Sequence, residues 1–336
     1  MENTMEFECV VGVGERSFAT CAAITREGLV LREMSGQPLI INYAELADFR
    51  LLDYQVVLHT RHGEVRLSKM GRETEHFHEK LWQAYNQRCE EALFIQSKPS
   101  FEGEGLCSYV EQDISCQGIA KVLMYDDCLC IYPHDQNARR IPLCFSMPPI
   151  MGDYQLSFCL DTGDEYRVSK LGHHTQDVFD EFSRHRAEIV GRWEAAYRDL
   201  VRSLSARLGD AAVRYDMMKG MSGRVVEGIF SLNTDGFWFA LLHDGKAAVE
   251  MVTGEHTATY LYHYELADDV FEHRLRHALE SVALHREVIF ADLSETPLYQ
   301  MAVQRNYHLQ YLREHHTGRI IHTAAWEKQL RSFFSR

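Results

Sequence analysis

The chain reads as an α+β protein: two consecutive sheet-and-helix modules, an extended connecting helix and a C-terminal α+β domain. Three observations predict this. A stretch of nineteen aligned positions recurs at 53–71 and 153–172; its strands alternate apolar and polar residues; and an apolar stripe at helical spacing follows each copy. The expected boundaries are residues 1–97, 105–210 and 222–336.

The repeat is explicit. Asp53-Tyr54-Gln55 to Gly63, then Glu64 to Gly71, matches Asp153-Tyr154-Gln155 to Gly163, then Glu165 to Gly172, with Asp164 as a single insertion. Nine of the nineteen positions are identical, against about one expected by chance. Val65/Leu67 and Tyr166/Val168 alternate with Arg66/Ser68 and Arg167/Ser169, the period of a strand with one wet face. Arg61-His62-Gly63 and Asp161-Thr162-Gly163-Asp164 supply hairpin turns. After Gly71 and Gly172, Thr74 and Thr175 are placed to accept a backbone N–H at the start of a helix. Phe77, Leu81, Ala84, Tyr85 and Ala92 form the first apolar stripe; Val178, Phe179 and Phe182 begin the second.

Upstream of each hairpin lie further short strands. The first copy offers Phe18–Ile24, Leu29–Arg32 and Leu39–Asn42; the second offers Ile119–Tyr125 and Leu129–Tyr132. Each copy is therefore a bent antiparallel sheet closed by a C-terminal helix. That order, with Ile41 to Phe49, the Asp53–Gly71 hairpin and the closing helix, resembles the pleckstrin-homology superfold and its bacterial and GRAM-like relatives over residues 7–190. Many lipid-binding members of that superfold grip inositol phosphates with basic residues between the first two strands. Here those positions read Gly12-Val13-Gly14-Glu15-Arg16 and Glu111-Gln112-Asp113-Ile114-Ser115, so lipid binding is not expected.

Ser97 to Gly105, rich in turn residues, separates the copies. The second closing helix carries an apolar stripe onward through Ile189, Trp193, Ala196, Leu200, Leu204 and Leu208, despite Gly191. Something must cover it, and Trp193, Leu200, Leu204 and Leu208 are candidate interaction residues. Met217, Met218 and Met221, in a glycine-bearing connector, join them as an adaptable contact surface or as packing beneath the last domain. In that domain, strands are expected at Val225–Leu232, Gly236–Leu242, Ala247–Val252, Thr257–Tyr264, Val288–Ala291 and Arg319–His322. Helices are expected from Asp268, over Tyr299–His315 and from Ala324.

Composition narrows the function. Hydrophobic residues make up 46% and charged residues 25%, a globular balance. Net charge is −14 with no Lys/Arg run, which weighs against nucleic acid and anionic lipid. No apolar run approaches a membrane span, and the acidic start lacks the basic, then apolar, pattern of an export leader; a cytoplasmic location is expected. The nine cysteines include no CxxC pair and read as reduced, buried thiols, Cys128 and Cys130 sharing one strand face.

Candidate chemistry is sparse. His273 and His277 with Glu280 have the spacing of a helical zinc site, but at 100° per residue they fall opposite the stripe Phe271, Leu275, Ala278, Leu279 and Val282, on an expected solvated face. His308, His315 and His316 are placed near a helix end. Neither GxSxG, GxxxxGK[ST] nor GxGxxG occurs. No catalytic residue, metal site or cofactor is assigned. The expected function is that of a non-enzymatic interaction or scaffold protein with a protein partner or self-association. The alternatives are a metal-assisted hydrolase with its site in the last domain, and a small-ligand or lipid-headgroup sensor.

Overall fold

The computed structural model of the chain describes residues 5–33, 37–111, 113–133, 138–228, 236–253, 256–265 and 267–336. The side chains of 33, 197, 200–208 and 256 lie outside that description. Two compact units emerge. The first comprises Met1–Gln96, Tyr132–Ala138 and Asp292–Arg305; the second comprises Ser97–Ile131, Arg139–Ala291 and Asn306–Arg336.

The first unit is built on seven antiparallel strands: β1 (Met5–Val13), β2 (Arg16–Ile24), β3 (Gly28–Glu33), β4 (Leu39–Asn42), β5 (Leu46–Leu52), β6 (Gln55–Thr60) and β7 (Gly63–Ser68). Their order in the sheet is β4-β3-β2-β1-β7-β6-β5, so the first and last strands of the succession meet in the middle through β1 and β7. Helix α1 (Glu73–Ala92) follows and buries Phe77, Leu81, Tyr85 and Cys89. Phe77 meets Phe7 edge-on at 5.1 Å, and Trp82 and Tyr85 close around Phe49.

The second unit repeats the plan with β8 (Phe101–Glu111), β9 (Ile114–Met124), β10 (Cys128–Pro133), β11 (Arg139–Pro142), β12 (Ile150–Gly152), β13 (Gln155–Cys159) and β14 (Glu165–Ser169), ordered β11-β10-β9-β8-β14-β13-β12. The correspondence extends to single bonds. Ser68 Oγ donates to the carbonyl of Val10 at 3.2 Å, and Ser169 Oγ to that of Leu106 at 3.3 Å. Lys69 and Lys170 have φ of 62° and 61°, and Gly71 and Gly172 have φ of 60° and 63°. The threonines do not cap as expected: Thr74 and Thr175 donate their hydroxyls to the carbonyls of Gly71 and Gly172, each at 2.9 Å, and lie within the first helical turn. The two left-handed residues before each helix turn those glycine carbonyls back within reach.

Helix α2 (Thr175–Leu208) runs 34 residues without a break at Gly191. Its first turns close the second module's core, with Val178, Phe182 and Ile189 packed among Tyr109, Phe158 and Tyr166. Farther along, Trp193 and Ala196 pack on a different core, that of the C-terminal sheet. Helix α3 (Asp210–Lys219) then leads into β15 (Arg224–Gly228), β16 (Phe237–His243), β17 (Lys246–Thr253) and β18 (His256–His263).

Beyond β18 come α4 (Asp268–Ser281), α5 (Glu287–Phe290), α6 (Pro297–Arg305), α7 (Tyr307–His315), β19 (His316–Ile320) and α8 (Trp326–Ser335), β19 completing a five-stranded antiparallel sheet in chain order. Helix α6 belongs to the first unit, where Gln300 and Gln304 donate to the carbonyl of Ala44 at 3.1 and 2.8 Å and Arg305 lies over Tyr85.

Three sequence expectations need correction here. Val288–Ala291 is not a strand: Val288 and Ile289 are buried on the single turn of α5. The helix expected over Tyr299–His315 is two helices, because Asn306 leaves helical geometry (φ −136°, ψ 103°) and its side chain accepts the N–H of Leu309 at 3.0 Å to start α7 afresh. The last strand lies at His316–Ile320 rather than Arg319–His322. The expected strand end at 229–232 falls outside the described residues. No described helix is long and apolar enough to cross a membrane.

Candidate functional site

The second copy of the repeat departs from the first at its hairpin turn, and the departure builds a site. Where the first copy has Arg61, the second has Asp161, and Asp164 is the inserted residue. The insertion enlarges the turn: the N–H of Leu160 donates to the carbonyl of Asp164 at 2.9 Å, and that of Gly163 to Leu160 at 3.0 Å. Both carboxylates then meet the C-terminal helices of the same unit.

Asp161 Oδ1 accepts the Nε2–H of His277 on α4 at 2.6 Å, while Oδ2 lies 3.3 Å from Nδ1 of His273 and 3.9 Å from the Arg276 guanidinium. Burial pushes the Asp161 pKa up, but the neighbouring His273 and His277 prevail and hold the carboxyl well below its ordinary value. The Asp161 carboxylate beside it raises the His273 pKa in turn. The ring of His277 stacks on Phe145 at 4.5 Å and packs against His308 at 4.8 Å.

Asp164 is buried, accepting the Tyr307 hydroxyl and, at 2.6 Å, that of Thr162. Beside it Glu111 accepts the Tyr166 hydroxyl at 2.7 Å and Arg139 Nε at 2.7 and 3.0 Å. Tyr166 stands where the first copy has Val65. The polar network is thus a property of the second copy. The Asp161–Asp164 turn borders an open cavity of about 360 Å³, lined also by Asp113 at the β8–β9 connection, and by Asp269, His273, Arg274, Tyr307 and His308 from α4 and α7. Chemically, it offers carboxylates, imidazoles, a phenol and one guanidinium around a pocket of small-molecule size.

The sequence placed His277 and Glu280 on a solvated face. Both are buried, at 1% and 4% exposure. Helix α4 is covered on both sides: Phe271, Leu275 and Leu279 face apolar neighbours, while His277 is claimed by Asp161 and Glu280 sits beside Arg140 and Asp127. Burial pushes the Glu280 carboxyl up to about 8, against the opposing pull of Arg140. His308 is at the start of α7 and buried, not at its C-terminal end; burial keeps its imidazole neutral, well below its ordinary pKa. No group of three His, Cys, Asp or Glu among the described residues is arranged to hold a metal ion. The Sγ atoms of Cys128 and Cys130 lie 4.0 Å apart, buried, as free thiols.

Of the candidate interaction residues, Trp193, Met217 and Met221 are half-buried against a cluster containing Phe237, Phe239, Trp326 and Leu330, and Met218 is fully buried within it. Leu200, Leu204 and Leu208 lie outside the described side chains. Sequence reasoning passed over Asp161, Asp164, Tyr307 and Arg274. The charge reversal and the insertion inside an otherwise faithful repeat were the available signal.

No family profile matches the chain, and no curated protein does. Among solved structures, a chain from the structure of the Spt16D Pob3N heterodimer aligns with 12% identity and a TM-score of 0.22, over 48% of this chain and 86% of that one. An overlap of that size carries no conclusion about what this chain does.

Proposed function

We propose that this is a non-enzymatic interaction protein built from two pleckstrin-homology-like modules, which contact a protein partner through matching hairpin tips. Two sheets with one seven-strand order, each closed by a C-terminal helix, support the family reading. The observation that carries the function is the pair Tyr54 and Tyr154.

Each tyrosine sits in a two-residue turn, between paired Leu52 and Gln55 or paired Gly152 and Gln155. Each is 76% exposed and has a left-handed backbone, with φ of 61° and 52°. Turns of this kind favour glycine there, because a side chain costs about 1–2 kcal/mol. Packing does not explain the cost, since both rings face solvent. An exposed aromatic with little entropy to lose is a common interface anchor.

The test is affinity capture with the full chain and with a Tyr54→Gly/Tyr154→Gly variant, followed by mass spectrometry and a thermal melt. The variant is expected to melt at or above the parent temperature and to lose the parent's partner. Identical partners for both chains would refute the proposal.

A further inference from the structure

The cavity beside the Asp161–Asp164 turn contains more polar groups than the joint itself uses. Asp161 and Asp164 are engaged with His277 and Tyr307. Arg274 is not engaged in that way. Its guanidinium lies over the Tyr311 ring at 4.4 Å, it lines the cavity, and no hydrogen-bonding or ion-pairing partner meets it among the described residues. A guanidinium stacked on an aromatic ring has its planar fork pre-organised for a carboxylate or phosphate.

His308 is the second observation. It is 5% exposed, lines the same cavity, and its Nδ1 is buried with no partner. Leaving such a group unpaired is costly, and a small shift of the ring on binding would bring it to a polar atom of a ligand. A neutral imidazole offers either an N–H or a lone pair there.

The rest of the lining sets the charge of the ligand. Asp113 and Asp269 are exposed carboxylates on the cavity wall, and neither has an ion-pair partner among the described residues. They repel a simple anion from Arg274 and attract a cationic group. Asp269, Val270, His273 and Arg274 lie on one side of α4, so the acidic and basic groups share a single wall.

We propose that this cavity binds a small zwitterion, an amino-acid-like molecule whose carboxylate meets Arg274 and whose ammonium meets Asp113 and Asp269. His308 Nδ1 pairs with a further polar atom of the bound molecule. The site is independent of the hairpin-tip contacts, and its volume of about 360 Å³ suits a ligand at the small end of the usual range.

Isothermal titration of the full chain with a panel of L-amino acids tests this, with acetate, methylammonium and inorganic phosphate as separate probes. At least one amino acid should bind saturably, one per chain, with acetate and methylammonium each weaker by about tenfold or more. Arg274→Gln and Asp269→Asn should each weaken that binding by a similar factor. Asp269 is exposed, so its variant keeps the fold, and a melt curve checks the Arg274 variant. Three outcomes would overturn the proposal: no saturable binding by any amino acid, phosphate or acetate binding as tightly as the best amino acid, or undiminished binding by Asp269→Asn.

Discussion

The Nε2–H of His277 meets Oδ1 of Asp161 across 2.6 Å, and through it a helix of the C-terminal segment is tied to a turn of the second module. His277 is 1% exposed, so the bond is its replacement for water. Asp161→Ala should cost about 1–3 kcal/mol, because it strands a buried donor. Asp161→Asn, which keeps an acceptor oxygen, should cost less. Asp161→Arg, which restores the first copy's residue, should cost the most, by placing like charges beside His273 and Arg276. Urea denaturation of the three variants gives the order; equal midpoints would mean the bond does not hold the joint.

The same helix sets a pH dependence. Glu280 is wholly buried, and its pKa is pushed up to about 8. A raised carboxyl contributes most below its unfolded value of about 4.3, and stability is lost as pH rises through 8. His308 acts in the opposite sense: its folded pKa is depressed, so it costs stability as pH falls below about 6.5. Asp161, also depressed, adds a loss at more acidic pH, below about 3.9. Glu280→Gln should therefore flatten the fall in stability between about pH 5 and 8 and leave the acid side unchanged. It should be more stable than the parent at pH 8 by up to a few kcal/mol, roughly. Thermal melts across that range measure the difference between the two curves.

Much of the fold was legible because local rules agreed with one another. Val65 and Leu67 alternate with Arg66 and Ser68, and in β7 the first pair is buried and Arg66 is exposed. The site was illegible for a physical reason. A helical projection assigns α4 one buried face, yet the apolar face meets one set of neighbours and Asp161 and Arg140 approach from elsewhere. Only a partner distant in sequence makes burial of His277 affordable. Asn306 was overlooked likewise: its side chain breaks a helix whose apolar spacing runs through unaltered.

Gly71 and Gly172 give a direct measure of how far the two copies remain equivalent. Their φ values, 60° and 63°, are left-handed, and a Cβ added at either would meet nothing within 4 Å. The cost of alanine is then backbone strain alone, about 1–2 kcal/mol at each site. The two single variants should lose similar stability, within roughly 0.5 kcal/mol, and the losses should add in the double variant. Chemical denaturation checks both statements; a large difference would show that the turns bear unequal loads.

The C-terminal sheet contains a carboxylate with no exposure at all. Glu250 on β17 accepts Arg214 Nε of α3 at 2.5 Å, the Thr259 hydroxyl of β18, and His322 Nε2 at 3.2 Å. Trp326, which opens α8, donates its indole N–H to Thr259 Oγ1 at 2.9 Å, so one buried charge organises two helices around two strands. Such a charge is tolerated only while its partners remain. Arg214→Met should cost about 3–5 kcal/mol, because the carboxylate loses its counter-charge without regaining water. Trp326→Phe removes one neutral bond and should cost about 1 kcal/mol. The double variant Glu250→Met/Arg214→Met should recover much of the single loss, since well-packed apolar groups replace a desolvated pair at little net cost. Urea midpoints of Arg214→Met, Glu250→Met and the double variant close the cycle. If the Arg214 and Glu250 losses simply add, the two residues are not coupled, and the network does not hold α3 against the sheet.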